Sequence, residues 1–265
     1  SFYAYYFQSP GLDIFDNYRS APFVGDRQQY VDQLYKEIEK RWISNNQDAA
    51  RFAADLRAFG ANLFDQLIPH NMQQMLWEHR NELKSIMMIS TEPFVPWELV
   101  HLKEPGQPLG NEMCFLAQMG LVRWLHGAGW PPDNLRIRDG RVKYVIPEYP
   151  HDDYVLPEAK AEAKFLKDVF KAKKLVAESD IVRQQISQPG VFDLLHFACH
   201  GVEDGGMVSN GKLLMQGRIE KGKYIPDYLY ATTVQQYAKL KFQGDRPMVV
   251  VNACQAGRAG YNLTG

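Results

Sequence analysis

The sequence predicts an α/β fold: a mostly parallel sheet flanked by helices, with an N-terminal helical portion ahead of it. Three observations carry this. Residues 191–198 and 248–253 are short, continuous apolar runs rich in branched side chains, the pattern of strands covered on both faces. Stretches of helical period separate such runs from about residue 85 onward, and strand–helix alternation favours a parallel sheet. Before that point the period is helical alone. Tyr30, Leu34, Ile38 and Trp42 fall four apart, and Phe52, Leu56, Phe59, Leu63 and Leu67 repeat at four and three.

The elements follow in order. Residues 1–26 are aromatic and broken at Ser9-Pro10-Gly11, which reads as a hairpin or edge strand. Two helices come next, the second capped by Asp48 and stopped by Pro69, and a third short one covers 71–83. Residues 85–90 form an apolar strand, 91–110 a loop holding four prolines, and 113–125 a helix. Residues 135–138 and 141–146 flank Asp139-Gly140, a two-residue turn signal, as hairpin arms. A helix spans 157–174 with Phe165, Leu166, Val169 and Phe170 on its buried stripe; 173–178 is a short strand and 180–188 a helix closed by Pro189-Gly190. Between the two best strands lie a glycine-rich loop, a short apolar segment at 213–215 and a helix near 230–237.

Composition narrows the function classes. The 265 residues carry 30 Lys+Arg against 31 Asp+Glu, a formal charge of -1, so no global field draws nucleic acid or anionic lipid. No apolar run approaches the roughly 18 residues of a membrane helix, and no secretory signal pattern is present. Cys114, Cys199 and Cys254 are too widely spaced for a disulfide framework or a zinc site, so no metal or cofactor is called for. The expectation is a cytoplasmic protein in a reducing compartment, with no membrane partner and no direct nucleic-acid binding. Ser1 opens inside an aromatic run and Gly265 comes only eleven residues after Cys254, so the native polypeptide is expected to continue past Gly265.

In a parallel sheet the working groups sit beyond the carboxyl ends of the strands. One strand is followed by Phe197-Ala-Cys-His200-Gly201, the other by Val251-Asn-Ala-Cys254-Gln-Ala-Gly257. A thiol is mostly protonated at neutral pH and becomes a nucleophile when a base stands within hydrogen-bond reach. His200 supplies such a base for Cys254, 54 positions on. Gly201 lets the backbone approach a substrate carbonyl, so the N–H groups of Gly201 and Cys254 are candidates for an oxyanion hole. Alone, each side chain reads as a core residue; together, with glycines after both, they read as a site.

Asp193-Leu-Leu-His-Phe-Ala-Cys-His200-Gly201 with Pro247-Met-Val-Val-Val-Asn-Ala-Cys254-Gln-Ala-Gly257 resembles the CHAT family, the caspase-like domain often found with TPR proteins. Val95-Pro-Trp-Glu-Leu99 is similar to the family's Pro-Trp-Glu-Leu box, and Leu156-Pro-Glu-Ala-Lys-Ala-Glu162 to its Leu-Pro-(small)-Ala-x-x-Glu helix start. The likeness runs from about Arg27 to the end, giving an N-terminal segment 1–26 and a CHAT-like, caspase-fold domain over 27–265. It implies a cysteine endopeptidase in which His200 is the general base and Cys254 the nucleophile. It also implies a protein substrate, a TPR-type or other sensor as activator, and a role in bacterial defence or signalling. The caspase signature Gln-Ala-Cys-x-Gly is altered, with Asn252 for Gln and one more residue before Gly257, so aspartate specificity does not carry over. The competing class is an inactive caspase-like interaction module within a larger assembly.

Other residues read more plainly. Cys199, next to His200, points to the other face and belongs to the core, as does Cys114 on its helix. His196 shares the face of His200 and is expected buried and bonded to backbone. Residues 127–132 lack the third glycine of a dinucleotide loop. Residues 201–206 read as a mobile active-site loop, in which Glu203 and Asp204 are candidates for a pocket taking a basic substrate residue, though a solvated charge is the simpler account. The lysines at 160, 164, 167, 171, 173 and 174 form a phosphate-contacting stripe or a solvated helix face; the second is favoured by their complement to the helix dipole. Trp97 packs a rigid loop, with Glu98 accepting backbone donors.

Overall fold

A computed structural model describes residues 2–22, 27–44, 48–91, 95–110, 114–126, 134–202, 211–239 and 246–253. The chain forms two compact units, Ser1–Gly129 and Trp130–Gly265.

The first unit opens with an antiparallel hairpin, β1 (Ala4–Ser9) and β2 (Ile14–Arg19). Alternation along β1 turns Tyr3, Tyr5 and Phe7 toward a core built on Leu63, Phe64, Leu67 and Trp97, and the Tyr5 hydroxyl donates to Leu67 O at 2.7 Å. Helices α1 (Arg27–Ser44), α2 (Ala49–Leu67) and α3 (His70–Glu78) follow. The Asp48 carboxylate caps α2 by accepting from Arg51 N at 2.9 Å. Gly60 is needed where it stands: a Cβ there would lie 2.2 Å from the Leu99 carbonyl oxygen. Trp97 is buried and edge-on to Tyr3 and Tyr5. Glu98 does not collect backbone donors; it takes the Arg123 guanidinium at 3.2 and 3.3 Å.

The helix expected at 113–125 fails in this unit. Residues 113–125 are not a helix: one short 3-10 turn, Leu116–Met119, ends at Gly120 (φ +66°), and β4 (Leu121–Leu125) follows. Apolar residues three and four apart imitated a helix, and the left-handed glycine breaks it. The strand expected at 85–90 forms as β3 (Ile86–Ser90), paired in parallel with β4 in a two-stranded sheet of their own.

The second unit contains the predicted parallel sheet. Its four strands are β5 (Val142–Val145), β6 (Lys173–Lys174), β7 (Leu194–Ala198) and β13 (Met248–Asn252), in the order β13-β7-β5-β6 and all parallel. Helix α4 (Ala159–Phe170) joins β5 to β6 and buries Leu166 over Val142, Tyr144 and Leu194. Phe165 and Val169, expected on its buried stripe, are instead exposed, because only one narrow face of the helix meets the sheet. Helix α5 (Ser179–Ile186) joins β6 to β7 and buries Val182 and Ile186 against Val145, Leu195 and Phe197. This is the predicted α/β fold, a sheet with a helix on each face.

The expected hairpin at Asp139-Gly140 keeps its turn but loses its first arm. Arg138 is drawn instead to Asp193 at the start of β7: its backbone N and Nε donate to one carboxylate oxygen (2.9 and 2.7 Å), and Nη2 donates to the other (2.6 Å). Beyond the sheet, β8 (His200–Val202), β9 (Lys212–Leu214) and β12 (Tyr228–Tyr230) form an antiparallel sheet in the order β12-β9-β8. A small hairpin, β10 (Arg218–Glu220) with β11 (Lys223–Ile225), and helix α6 (Ala231–Tyr237) complete the unit. Gly201 is thus a strand residue opposite Leu213, not part of a loop. Among the described residues no helix is long and apolar enough to cross a membrane.

Candidate functional site

Strand β7 ends at Ala198, and the chain turns through Cys199 before resuming as β8 at His200. Cys199 is 3% exposed, packed with Val145, Leu195 and Met215. Burial without a compensating charge pushes its thiol up to about 12. Burial likewise raises the Cys114 thiol, which stands before the 3-10 turn rather than on a helix. Neither has the exposed, electropositive setting of a reactive cysteine.

His200 is held on three sides. Its backbone N–H donates to the Tyr149 hydroxyl at 3.1 Å, and that hydroxyl donates to Leu214 O at 2.8 Å. Desolvation raises the Tyr149 pKa, which keeps the hydroxyl a neutral relay. The imidazole lies 5.3 Å from the Tyr149 ring and meets the Tyr154 ring nearly edge-on at 5.9 Å. Its Nε2 is 2.9 Å from the Tyr154 carbonyl oxygen. A carbonyl oxygen only accepts, so Nε2 carries the proton and Nδ1 keeps the basic lone pair.

Strand β13 runs beside β7 with Asn252 paired to Ala198, and Cys199 N donates to Asn252 O at 3.2 Å. His200 and Cys254 are each the second residue beyond that rung. Cys254, Glu203 and Asp204 lie outside the described residues, and so does the oxyanion partnership of Cys254 with Gly201. Among the described residues no three His, Cys, Asp or Glu side chains gather as a metal site.

His196 does not bond to backbone. Its Nε2 stands 2.7 Å from one Glu162 oxygen, and the other accepts from Asn252 Nδ2 at 2.8 Å. One carboxylate on α4 therefore ties β7 to the last residue of β13. Glu162→Ala removes the acceptor for both and is expected to lower stability by about 1–2 kcal/mol in urea denaturation. Glu162→Gln, which keeps an oxygen for Asn252, should lose less.

Three contributors escaped the sequence reading. Tyr149 and Tyr154 fall in residues 147–156, which have no periodicity, and Tyr154 acts through a carbonyl that any residue provides. Glu162 was visible only as part of a motif.

The fold is consistent with the comparison of the chain with known families. Residues 145–265 match the model of the CHAT domain. This part of the chain is similar to the CHAT domain, a family associated with caspase-like cysteine peptidases; the Pro-Trp-Glu-Leu segment at 96–99 lies outside the match. No curated protein matches the chain.

Proposed function

We propose that the chain is a cysteine endopeptidase acting on a protein substrate, with His200 as general base and Cys254 as nucleophile, switched on by a sensor or partner in bacterial defence or signalling. The Cys254 thiol gives its proton to His200 Nδ1, and the thiolate attacks the scissile carbonyl carbon. The N–H groups of Gly201 and Cys254 hold the resulting oxyanion. His200 then protonates the departing amine, leaving an acyl-enzyme that water hydrolyses with the same imidazole as base. The observation that carries this reading is the Nε2–H bond from His200 to the Tyr154 carbonyl, which fixes the ring and leaves Nδ1 basic. The pairing of Asn252 with Ala198 adds to it, because it sets the chain positions of histidine and cysteine at equal offsets.

The test is thiol labelling with limiting iodoacetamide at neutral pH, repeated with candidate activating partners. Cys254 is expected to react first, Cys114 and Cys199 to lag, and His200→Ala to slow Cys254 by about tenfold or more. Equal labelling of all three thiols, or a rate untouched by His200→Ala under activating conditions, would overturn the dyad in favour of an interaction module.

A further inference from the structure

The lysines of α4 do more than face solvent. Lys160, Lys164 and Lys167 share one helix face, and with Lys174 of β6 they line a cleft of about 650 Å³ at the carboxyl end of β5. That volume is within the roughly 300–1,000 Å³ of small-molecule sites. Apolar and aromatic residues complete the lining, Ile146, Leu156 and Tyr149 among them.

Charge is left over on the rim. Lys164 is paired with Asp168 at 2.6 Å and Lys174 with Glu148, whereas Lys160 and Lys167 have no ion pair among the described residues. Glu148 is held below the ordinary carboxylate range by its bond to Lys174, and Lys160 and Lys167 add to the same effect. The second observation is independent of charge. Tyr144 also lines the cleft, is 1% exposed, and its hydroxyl has no hydrogen-bond partner among the described residues. A buried hydroxyl left unpaired is unfavourable by about 1–3 kcal/mol. Lys167 Nζ stands 5.9 Å from the same ring.

A basic rim over an apolar wall, with an unsatisfied hydroxyl in the lining, suits a ligand that is anionic at one end and flat and apolar at the other. We propose that this cleft binds a nucleoside polyphosphate, its phosphates on Lys160 and Lys167 and its base against the Tyr149 side. The proposal goes beyond the peptidase reading and stands without it.

Isothermal titration calorimetry with ATP, inorganic tripolyphosphate and adenosine tests it on the whole chain. ATP is expected to bind one site per chain, more tightly than either fragment, and more weakly as salt rises. Lys160→Glu with Lys167→Glu should weaken ATP binding by about tenfold or more, as removal of two phosphate contacts implies. The Lys→Arg pair at the same positions should bind within about threefold of the parent. The control Lys36→Glu with Lys40→Glu, on α1, should leave the affinity unchanged. All four side chains are exposed, and circular dichroism checks that each variant folds. Absence of ATP binding overturns the proposal, as does equal weakening by the control pair. Tripolyphosphate binding as tightly as ATP overturns the role of the apolar wall, and adenosine binding as tightly overturns the role of the lysines.

Discussion

Cleavage of the protein substrate is expected to fall by at least about 10³-fold in Cys254→Ala, with the melting temperature unchanged within a degree or so. The two readouts separate because the substitution removes one sulfur and no charge, while the proposed reaction loses the atom that would form the acyl bond. His200→Ala should match it in rate, since base and nucleophile act as a unit and their losses do not add. The measurement is a single-turnover cleavage assay with the activating partner present, beside a thermal melt of each variant. Cleavage persisting in Cys254→Ala under those conditions contradicts the assignment.

The largest effect on stability is expected at Asp193. Its carboxylate is buried at the start of β7, accepts three bonds from Arg138, and lies 3.4 Å from Arg141 Nε. Its own backbone N–H donates to Arg141 O, and its carbonyl accepts Met248 N, so the residue joins the 138–141 turn to both β7 and β13. Asp193→Ala removes the acceptor from two guanidinium groups and should lose about 3 kcal/mol, the low end for a broken buried pair because both arginines keep some solvent. The same group sets an acid limit. The Arg138 hydrogen bonds hold the carboxyl down to about 2, against an ordinary 3.8. A carboxyl depressed on folding stabilises the protein fully above its unfolded pKa, and the gain is lost as pH falls through its folded one. An acid titration of the melting temperature should therefore show a contribution of about 2 kcal/mol vanishing between roughly pH 4 and pH 2, absent in Asp193→Asn.

Much of the parallel sheet was legible because its strands obey local rules. β7 is apolar on both faces because α4 and α5 cover it. β13 pairs with it along its whole length as the end strand of the described sheet, where Met248, Val249 and Val251 stay exposed. Helix caps were equally readable, Asp48 among them. The errors lie where two periods fit the same residues or where a distant partner decides. Residues 116–125 satisfy a helical spacing until Gly120 interrupts it. Arg138 is taken from a plausible hairpin by Asp193, 55 positions away, which no local pattern signals. The histidine and cysteine of the candidate site were visible as side chains after strands. The orienting carbonyl of Tyr154 was not, because a backbone acceptor leaves no mark in a sequence.

The rung between Ala198 and Asn252 also decides where the chain tolerates changes in length. One residue added inside β7 or β13 reverses the face of every later side chain in that strand, while its neighbour stays put. Leu194–Ala198 and Met248–Asn252 are therefore fixed in length by their pairing. The same restriction holds for β9 and β12: β9, paired between β8 and β12, places Leu214 where its carbonyl accepts the Tyr149 hydroxyl. The turn of the β10–β11 hairpin at Lys221-Gly222 is where a change in length leaves all of these rungs as they are.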